Sequence, residues 1–512
     1  MNNIFDTIDS LIYYAYINLE LNSDDEVYYR NFILGELGIN TYIKGKVDKA
    51  YIESLKVPDE LILRLCEYLN TSTEESEIAI DIKLNKILGI LTPLNSVVNT
   101  NFEIINKYEG DTSALEYLYN LSIKNDYVKK TFIEKNILWD YHDHENLIEV
   151  SINLSKPEKS NKDIAKALVV NKNDVKYPLC QLCYENLGYY GRIDHPSRVN
   201  LRFINIKLNN EEWALQYSPY GYFFKHAIAF KKVHSNMQTN KDTFIRLVEF
   251  VDLFPSFFVG SNASLPIVGG SILNHEHYQG GAHILPLMKA KTRKEYLINN
   301  YPHSKLYRLD WYNSAILIKS TSKEEVIALG ALINKAWENY SDQDNEIINK
   351  SGDLLHNAIT PSIRKIDDEY YLYLILRNNR TNDKHPDGIF HAHKEYHHIK
   401  AEGIGIIEAM GLFILPARLE RQIKEIKDSL ASKLSDEEIL NKYPTLDRRF
   451  LEIIEDLRKN YHEDTIDQKI KDYISNICKN ILLNTAVYKK TTEGDRGFDR
   501  FIGGLNLWHK LP

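Results

Sequence analysis

The chain has 512 residues, of which 43% are hydrophobic and 26% charged, so it is long enough for two or more cores of an ordinary globular protein. Its formal net charge of −8 and pI near 6.1 argue against a general nucleic-acid binder, which needs a basic face. Four cysteines are too few for a disulfide framework.

The N-terminus predicts neither export nor membrane insertion. It lacks the basic and long apolar regions of a secretory signal. The sequence also has no run of about 18 apolar residues, the length that a transmembrane helix requires. We therefore expect a cytoplasmic protein with no membrane partner.

The first 170 residues are predicted to be helical, because apolar residues such as Leu61, Leu65 and Tyr68 recur near helical spacing. The polar cluster Trp139–His144 contains residues that can bind metals. Nothing downstream completes a site around it, so an exposed loop is the better interpretation.

A turn-rich change at Asn171 to Pro178 precedes the first predicted strands, at residues 201–206, 213–217 and 227–230. An amphipathic helix is predicted from Asp242 to Phe254, with Thr239 or Asn240 as its N-cap. Strands followed by a helix and a further strand are typical of an α+β domain with an antiparallel sheet.

Cys180 and Cys183 form a CxxC motif. Two thiolates at this spacing can bind one tetrahedral zinc ion if two further ligands are supplied. The alternatives are a redox dithiol, without the thioredoxin-like pattern that this would need, and buried thiols with no metal. Three arginines follow nearby and are candidates for phosphate binding, although each could equally form a surface ion pair: Arg192, Arg198 and Arg202.

The segment Asn274–Gly281 reads NHEHYQGG and is predicted to be a strand. On a strand, His275, His277 and Gln279 would share one face, and the following glycines would let a ligand approach the backbone. An imidazole beside a neutral amide is suited to attack on phosphorus. Histidines two apart do not fit the helical zinc-protease motif. Three nearby polar residues could donate to phosphates: Asn262, Ser271 and Asn274.

A second α+β stretch is predicted from about residue 305 to 420, with a helix at 324–340 and a strand at 370–376. His391 and His393 repeat the HxH spacing there. From about residue 421 the chain is charged and helical, with one apolar face formed by Phe450, Ile453, Ile454 and Leu457. No P-loop and no GxGxxG opening a helix is present, so neither ATP nor NAD is expected.

The HxHxQ row, with the sequence from Gly260 to Gly281, resembles the histidine-triad superfamily in the branch where Gln replaces the last His. This branch is the galactose-1-phosphate uridylyltransferase family, and the similarity is to its type 2 form, from Tyr177 to about Arg418. The resemblance implies an α+β fold with two histidine-triad-like antiparallel-sheet domains and large helical extensions. The implied parts are 1–170 (helical), 171–300 (catalytic), 301–420 (second domain) and 421–512 (helical).

The resemblance also implies the chemistry. His277 would attack UDP-glucose and carry UMP as a uridylyl-histidine, Gln279 would hold phosphoryl oxygens, and galactose 1-phosphate would accept the UMP. One alternative is another histidine-triad nucleotidyl hydrolase or phosphorylase. A second alternative is a non-catalytic helical interaction protein, against which the intact histidine row argues.

For metals, the resemblance implies a structural zinc held by Cys180, Cys183, His234 and His275. Some relatives use the second HxH to bind iron, which here would involve His391 and His393, with His356 as a further candidate. The other role for His391 and His393 is to line the sugar-phosphate site. A homodimer is left open.

Overall fold

The computed structural model describes residues 3–73, 76–155, 177–192, 194–430, 434–459 and 462–507. Its helices are α1 Ile4–Asn18, α2 Glu26–Glu36, α3 Lys49–Ser54, α4 Asp59–Ser72, α5 Glu77–Ile90, α6 Asn95–Glu109, α7 Asp111–Lys124, α8 Lys130–Ile133, α9 Lys241–Leu253, α10 Lys323–Glu338, α11 Ile406–Ala409, α12 Arg418–Leu430, α13 Asp436–Lys442, α14 Leu451–Lys459, α15 Ile466–Thr485 and α16 Thr492–Gly504. Its strands are β1 Ile137–Asp143, β2 Asn146–Asn153, β3 Ile204–Leu208, β4 Glu211–Tyr217, β5 Ala227–Lys231, β6 Phe258–Gly260, β7 His277–Gly281, β8 Thr292–Tyr296, β9 Ser304–Leu309, β10 Ala315–Ser320, β11 Lys350–Ser351, β12 Leu354–Leu355, β13 Asn357–Ile366, β14 Glu369–Asn378 and β15 Leu412–Pro416.

The chain forms two compact units, Met1–Lys135 with Pro157–Ser235, and Asn136–Lys156 with Asn236–Pro512. The predicted boundary at residue 170 lies outside the described residues. Helices and antiparallel strands both contribute, which confirms the α+β prediction. Among the described residues, no helix is both long and apolar enough to cross a membrane.

The first unit contains helices α1 to α8 and the antiparallel meander β3–β4–β5. Apolar residues at helical spacing are buried in it, including Leu61, Leu65 and Leu69 of α4. The three strands alternate or run apolar, and Trp213, Leu215 and Tyr217 are fully buried in β4. The strands predicted at 201–206, 213–217 and 227–230 are therefore confirmed with small shifts in their ends.

The second unit contains an antiparallel sheet in the order β7–β6–β13–β14–β10–β9–β8. Helix α9 packs on β6 and β13, and α10 packs on β10, β13 and β14. Asn240 begins α9 with a capping box, because its side chain accepts from the backbone of Thr243 while the Thr243 hydroxyl accepts from the backbone of Asn240. The predicted helix and its second candidate cap are confirmed.

A smaller sheet in the second unit corrects the prediction that residues 1–170 are wholly helical. Strands β1 and β2 form a hairpin, and β15 adds to β2 in parallel. Trp139 lies on β1, so the exposed loop predicted for this cluster is wrong. Its indole donates to Ser475 on α15 at 2.9 Å, which fixes the hairpin to the C-terminal helices.

Candidate active site

Strand β7 carries His277 and Gln279 on one face, because side chains two apart on a strand point the same way. His275 lies just before the strand. β7 pairs with β6, where Gly260 is opposite Gln279. A Cβ at Gly280 would lie 2.3 Å from the Phe258 carbonyl oxygen. Glycine is thus needed at 280 for the close approach of β6.

His277 is held in one tautomer. Its Nδ1 lies 2.8 Å from the His275 carbonyl oxygen, which can only accept, so Nδ1 carries the proton and Nε2 has the free lone pair. Burial lowers the pKa of His277 from 6.5 to about 4, although the hydrogen bond to His275 opposes this change. The ring is therefore a neutral base with an available Nε2.

The residue between the two histidines has a structural partner that the sequence did not indicate. Glu276 points to the face opposite His277 and accepts from Arg246 of α9 at 2.6 Å, with both side chains about 5% exposed. The Tyr278 hydroxyl lies 3.3 Å from the same guanidinium. This ion pair fixes the start of β7 to α9. The sequence held one signal for this partner: strand alternation places Glu276 on the face opposite His275 and His277, where a buried acid needs a cation.

The predicted phosphate donors near β7 differ in burial. Asn262 is buried, and its Oδ1 accepts from the Ile406 backbone N–H at 2.8 Å, so its amide NH2 is the arm left to donate. A Cβ at Gly270 would lie 2.5 Å from the Asn262 Nδ2. Ser271 and Asn274 are exposed on the loop that leads into β7.

The three predicted arginines belong to the first unit. All five N–H donors of Arg202 reach backbone carbonyls, those of Gly89, Thr92, Pro93, Val199 and Leu201. Arg202 therefore has a structural role. Arg192 pairs with Asp194 and also donates to the Tyr177 carbonyl oxygen and the Tyr189 hydroxyl. The Arg198 guanidinium lies 5.7 Å from the centre of the Tyr127 ring.

The CxxC motif forms a candidate metal centre. The Cys180 and Cys183 sulfurs lie 3.6 Å apart, and the His234 Nδ1 is 3.2 Å from the Cys183 sulfur and 3.8 Å from that of Cys180. With His275 they form a group in which one ligand atom from each residue lies within 4.8 Å of the others. Two sulfurs and two ring nitrogens are a donor set that suits zinc.

The turn of the CxxC motif is supported by a residue that the sequence analysis missed. The Asn186 side chain donates to the carbonyl oxygens of Cys180 and Cys183 at 2.9 and 2.8 Å, and its own oxygen lies 2.6 Å from the His195 Nε2. Backbone N–H groups of the turn also point at the sulfurs, including Leu182 to Cys180 at 3.4 Å. These contacts orient both sulfurs.

The second histidine pair is divided between two environments. His391 is buried and accepts from the Ile404 N–H at 3.2 Å, whereas His393 lies 3.0 Å from the Ile389 carbonyl oxygen and stacks on His385. His356 is hydrogen-bonded to Asn379 and Ser351. Among the described residues, the one group that could hold a metal is the CxxC centre, so the iron prediction gains no support.

Comparisons with known proteins identify the chain as a nucleotidyltransferase. The protein-family model for the N-terminal domain of galactose-1-phosphate uridyl transferase matches residues 54–236. The family model for its C-terminal domain matches residues 249–442. The chain is 39% identical over 491 residues to a galactose-1-phosphate uridylyltransferase of Clostridium acetobutylicum, covering 95% of this chain and 96% of the relative. It is 36% identical over 505 residues to one of Fusobacterium nucleatum, covering 97% and 98%.

This chain therefore belongs to the galactose-1-phosphate uridylyltransferase family, which confirms the resemblance seen in the sequence. The crystal structure of yeast Ap4A phosphorylase Apa2 overlaps it with a TM-score of 0.32 at 11% identity, covering 64% of this chain and 89% of that one. That overlap is too loose to carry an argument.

Proposed function

We propose that the protein transfers UMP from UDP-glucose to galactose 1-phosphate, through a uridylyl group carried on His277. The Nε2 lone pair of His277 attacks the α-phosphorus, a P–N bond forms, and the bond to glucose 1-phosphate breaks. An oxygen of galactose 1-phosphate then attacks the same phosphorus, the P–N bond breaks, and UDP-galactose leaves. The observation that carries this proposal is the 2.8 Å contact of Nδ1 with the His275 carbonyl, which leaves Nε2 as the nucleophile.

Gln279 would donate its amide to the phosphoryl oxygens as charge develops on them. Asn262, Ser271 and Asn274 are our candidates for further phosphate and uridine contacts. The buried Asn262 has an amide arm to offer, and the other two lie exposed on the loop before β7. The predicted substrate contacts of His393, Arg192 and Arg198 stay predictions.

The test is incubation with UDP-glucose radiolabelled in the uridylyl group, followed by denaturation. We expect acid-labile label on the wild-type protein and none on His277→Ala. Glucose 1-phosphate should be released once per chain without galactose 1-phosphate, and UDP-galactose should form when it is added. If water accepts the uridylyl group and free UMP is released, the protein is a hydrolase. If inorganic phosphate accepts it and UDP is released, the protein is a phosphorylase.

We further propose that the metal centre is a structural zinc site held by Cys180, Cys183, His234 and His275. Four protein ligands leave no open position, so the ion would supply rigidity to the segment before β7 rather than a reaction step. Burial raises the pKa of the Cys180 thiol to about 12, and thiolate binding to a cation would offset this effect.

Purified protein should contain about one zinc per chain. The variant with Cys180→Ser and Cys183→Ser should lose the metal and melt at a lower temperature, whereas Cys66→Ser on α4 should keep both properties. Full metal content in the double variant would contradict the proposed ligand set.

A further inference from the structure

The sulfur of Met237 contacts the backbone of the proposed nucleophile. Met237 lies just before α9, in a segment without regular secondary structure, and it is buried. The His277 backbone N–H donates to the Met237 Sδ at 3.3 Å. Backbone N–H groups in a strand usually donate to carbonyl oxygens, and thioether sulfur is a weaker acceptor. A sulfur therefore takes the place of a carbonyl oxygen at the first residue of β7.

Met237 also contacts the loop that leads into β7. Its backbone N–H donates to the Leu273 carbonyl oxygen at 2.8 Å. Leu273 and His277 are the two ends of one short segment, so a single residue outside this segment is bonded to both ends of it. A shift of the segment would lengthen at least one of the two hydrogen bonds.

The residues that follow Met237 are anchored to two helices. The Gln238 carbonyl oxygen accepts from the Thr243 hydroxyl of α9 at 3.0 Å, and the Thr239 carbonyl oxygen accepts from the Asn334 side chain of α10 at 3.1 Å. The side chains that donate in these two contacts are buried, so water does not compete for them. Met237 therefore links the start of β7 to the positions of α9 and α10.

The ring contact of His277 cannot supply this link. Its Nδ1 is bonded to the carbonyl oxygen of His275, which belongs to the same segment. That contact sets the orientation of the ring relative to the strand, and it moves with the strand. Glu276 is bonded to Arg246 of α9, but through a side chain on the opposite face. Met237 is the contact from outside the segment that acts on the backbone of the nucleophile itself.

We propose that Met237 is a positioning residue for uridylyl transfer, an inference that rests on the proposed function. Its sulfur holds the backbone of His277 at the place from which Nε2 attacks the α-phosphorus. Methionine combines two properties that this position needs. Its unbranched side chain fills an irregular buried space, and its sulfur satisfies an N–H that would otherwise be buried without a partner. Leucine would keep the first property and lose the second.

The test compares the full-length wild type with Met237→Leu, an exchange that conserves volume and removes the acceptor. Labelling by UDP-glucose radiolabelled in the uridylyl group is followed by rapid quench. A misplacement of about 1 Å can cost about 10² in rate, so a smaller shift of His277 should lower the first-order rate constant at saturating UDP-glucose about tenfold. The final label per chain, and the UDP-glucose concentration that gives half the maximal rate, should stay near their wild-type values.

A purely structural role would give a different result. It would lower the melting temperature or the fraction of chains that become labelled, and it would leave the rate constant of the folded chains unchanged. Met410→Leu is the matched control, because Met410 is fully buried and its hydrogen bonds to Ile406 and Leu287 are made by its backbone. It should label at the wild-type rate.

Norleucine provides a closer exchange, because it has a methylene in place of the sulfur. The chain has four methionines, so in a Met288→Leu, Met410→Leu background Met237 is the one methionine besides Met1. This background produced with norleucine should label as slowly as Met237→Leu. The same background produced with methionine should label at the wild-type rate.

Wild-type rate constants in Met237→Leu or in the norleucine protein would overturn the inference. An equal fall in Met410→Leu would also overturn it, since any loosening of the core would then suffice. Amide hydrogen exchange at His277 should be faster in Met237→Leu, and unchanged protection would show that the sulfur does not hold this N–H. Absence of label on the wild type would instead reject uridylyl transfer, and the positioning role with it.

Discussion

Gln279 is the residue whose loss should separate binding from chemistry. It lies on the same face of β7 as His277, and its amide is suited to charge that develops on phosphoryl oxygens. Gln279→Ala should lower the rate of His277 uridylylation by about 10², the usual loss for one such donor. UDP-glucose affinity should change less. Single-turnover labelling and calorimetry would check this, and a collapse of affinity at an unchanged rate would make Gln279 a ground-state binder.

The buried environment of His277 predicts an unusual pH dependence. Its pKa is lowered to about 4, so the neutral nucleophile persists as pH falls through the ordinary histidine range near 6.5. The rate of labelling by UDP-glucose should therefore stay flat down to about pH 5. Rapid-quench labelling between pH 5 and 8 would check it. An inflection near pH 6.5 that persists when the other histidines are replaced one at a time would contradict the lowered pKa of His277.

The same shift affects stability with a definite sign. Because folding lowers the pKa of His277, the unfolded chain binds this proton more tightly than the folded one does. The resulting stability is fully present above about pH 6.5 and is lost as pH decreases toward 4. His277→Gln should reduce this part of the acid dependence in urea unfolding.

Among elements, the contact of α9 with the start of β7 should be sensitive to single substitutions. Arg246→Met would leave the Glu276 carboxylate buried without its cation, at a cost of about 3–5 kcal/mol in the free energy of unfolding. The double variant Arg246→Met with Glu276→Gln is the control and should recover much of that loss. Urea unfolding measures both, and equal losses in the two variants would show that packing, not the charge, decides.

The elements near the site could largely be predicted from the sequence because their signals are local. The 3.6-residue period and the Asn240 cap located α9, and the HxHxQ spacing located β7. Hairpin β1–β2 was missed because its alternation uses aromatic and charged residues, and its support comes from β15 and α15 far along the chain. The pair of Arg246 with Glu276 depends on how α9 packs against the sheet, which no local pattern encodes.

At the scale of the molecule, the resemblance indicated the class of fold but not how the C-terminal helices are used. The predicted apolar face of Phe450, Ile453, Ile454 and Leu457 is buried in the second unit, as expected. Helix α16 returns to α10, where Phe501 packs edge-on against Trp337 with ring centroids 5.1 Å apart. The indole of Trp337 donates to the Arg377 carbonyl oxygen at 2.9 Å, so the C-terminal extension supports β14 through α10.

Phe501→Ala tests that support. It removes a buried aromatic ring from the contact with Trp337 and Tyr340 and should lower the free energy of unfolding by about 3–5 kcal/mol. Tryptophan fluorescence should report a wetter environment around Trp337. Arg496→Ala, on the exposed side of α16, is the control and should change none of these quantities. If Phe501→Ala leaves the free energy of unfolding unchanged, the contact of α16 with α10 does not stabilise the core.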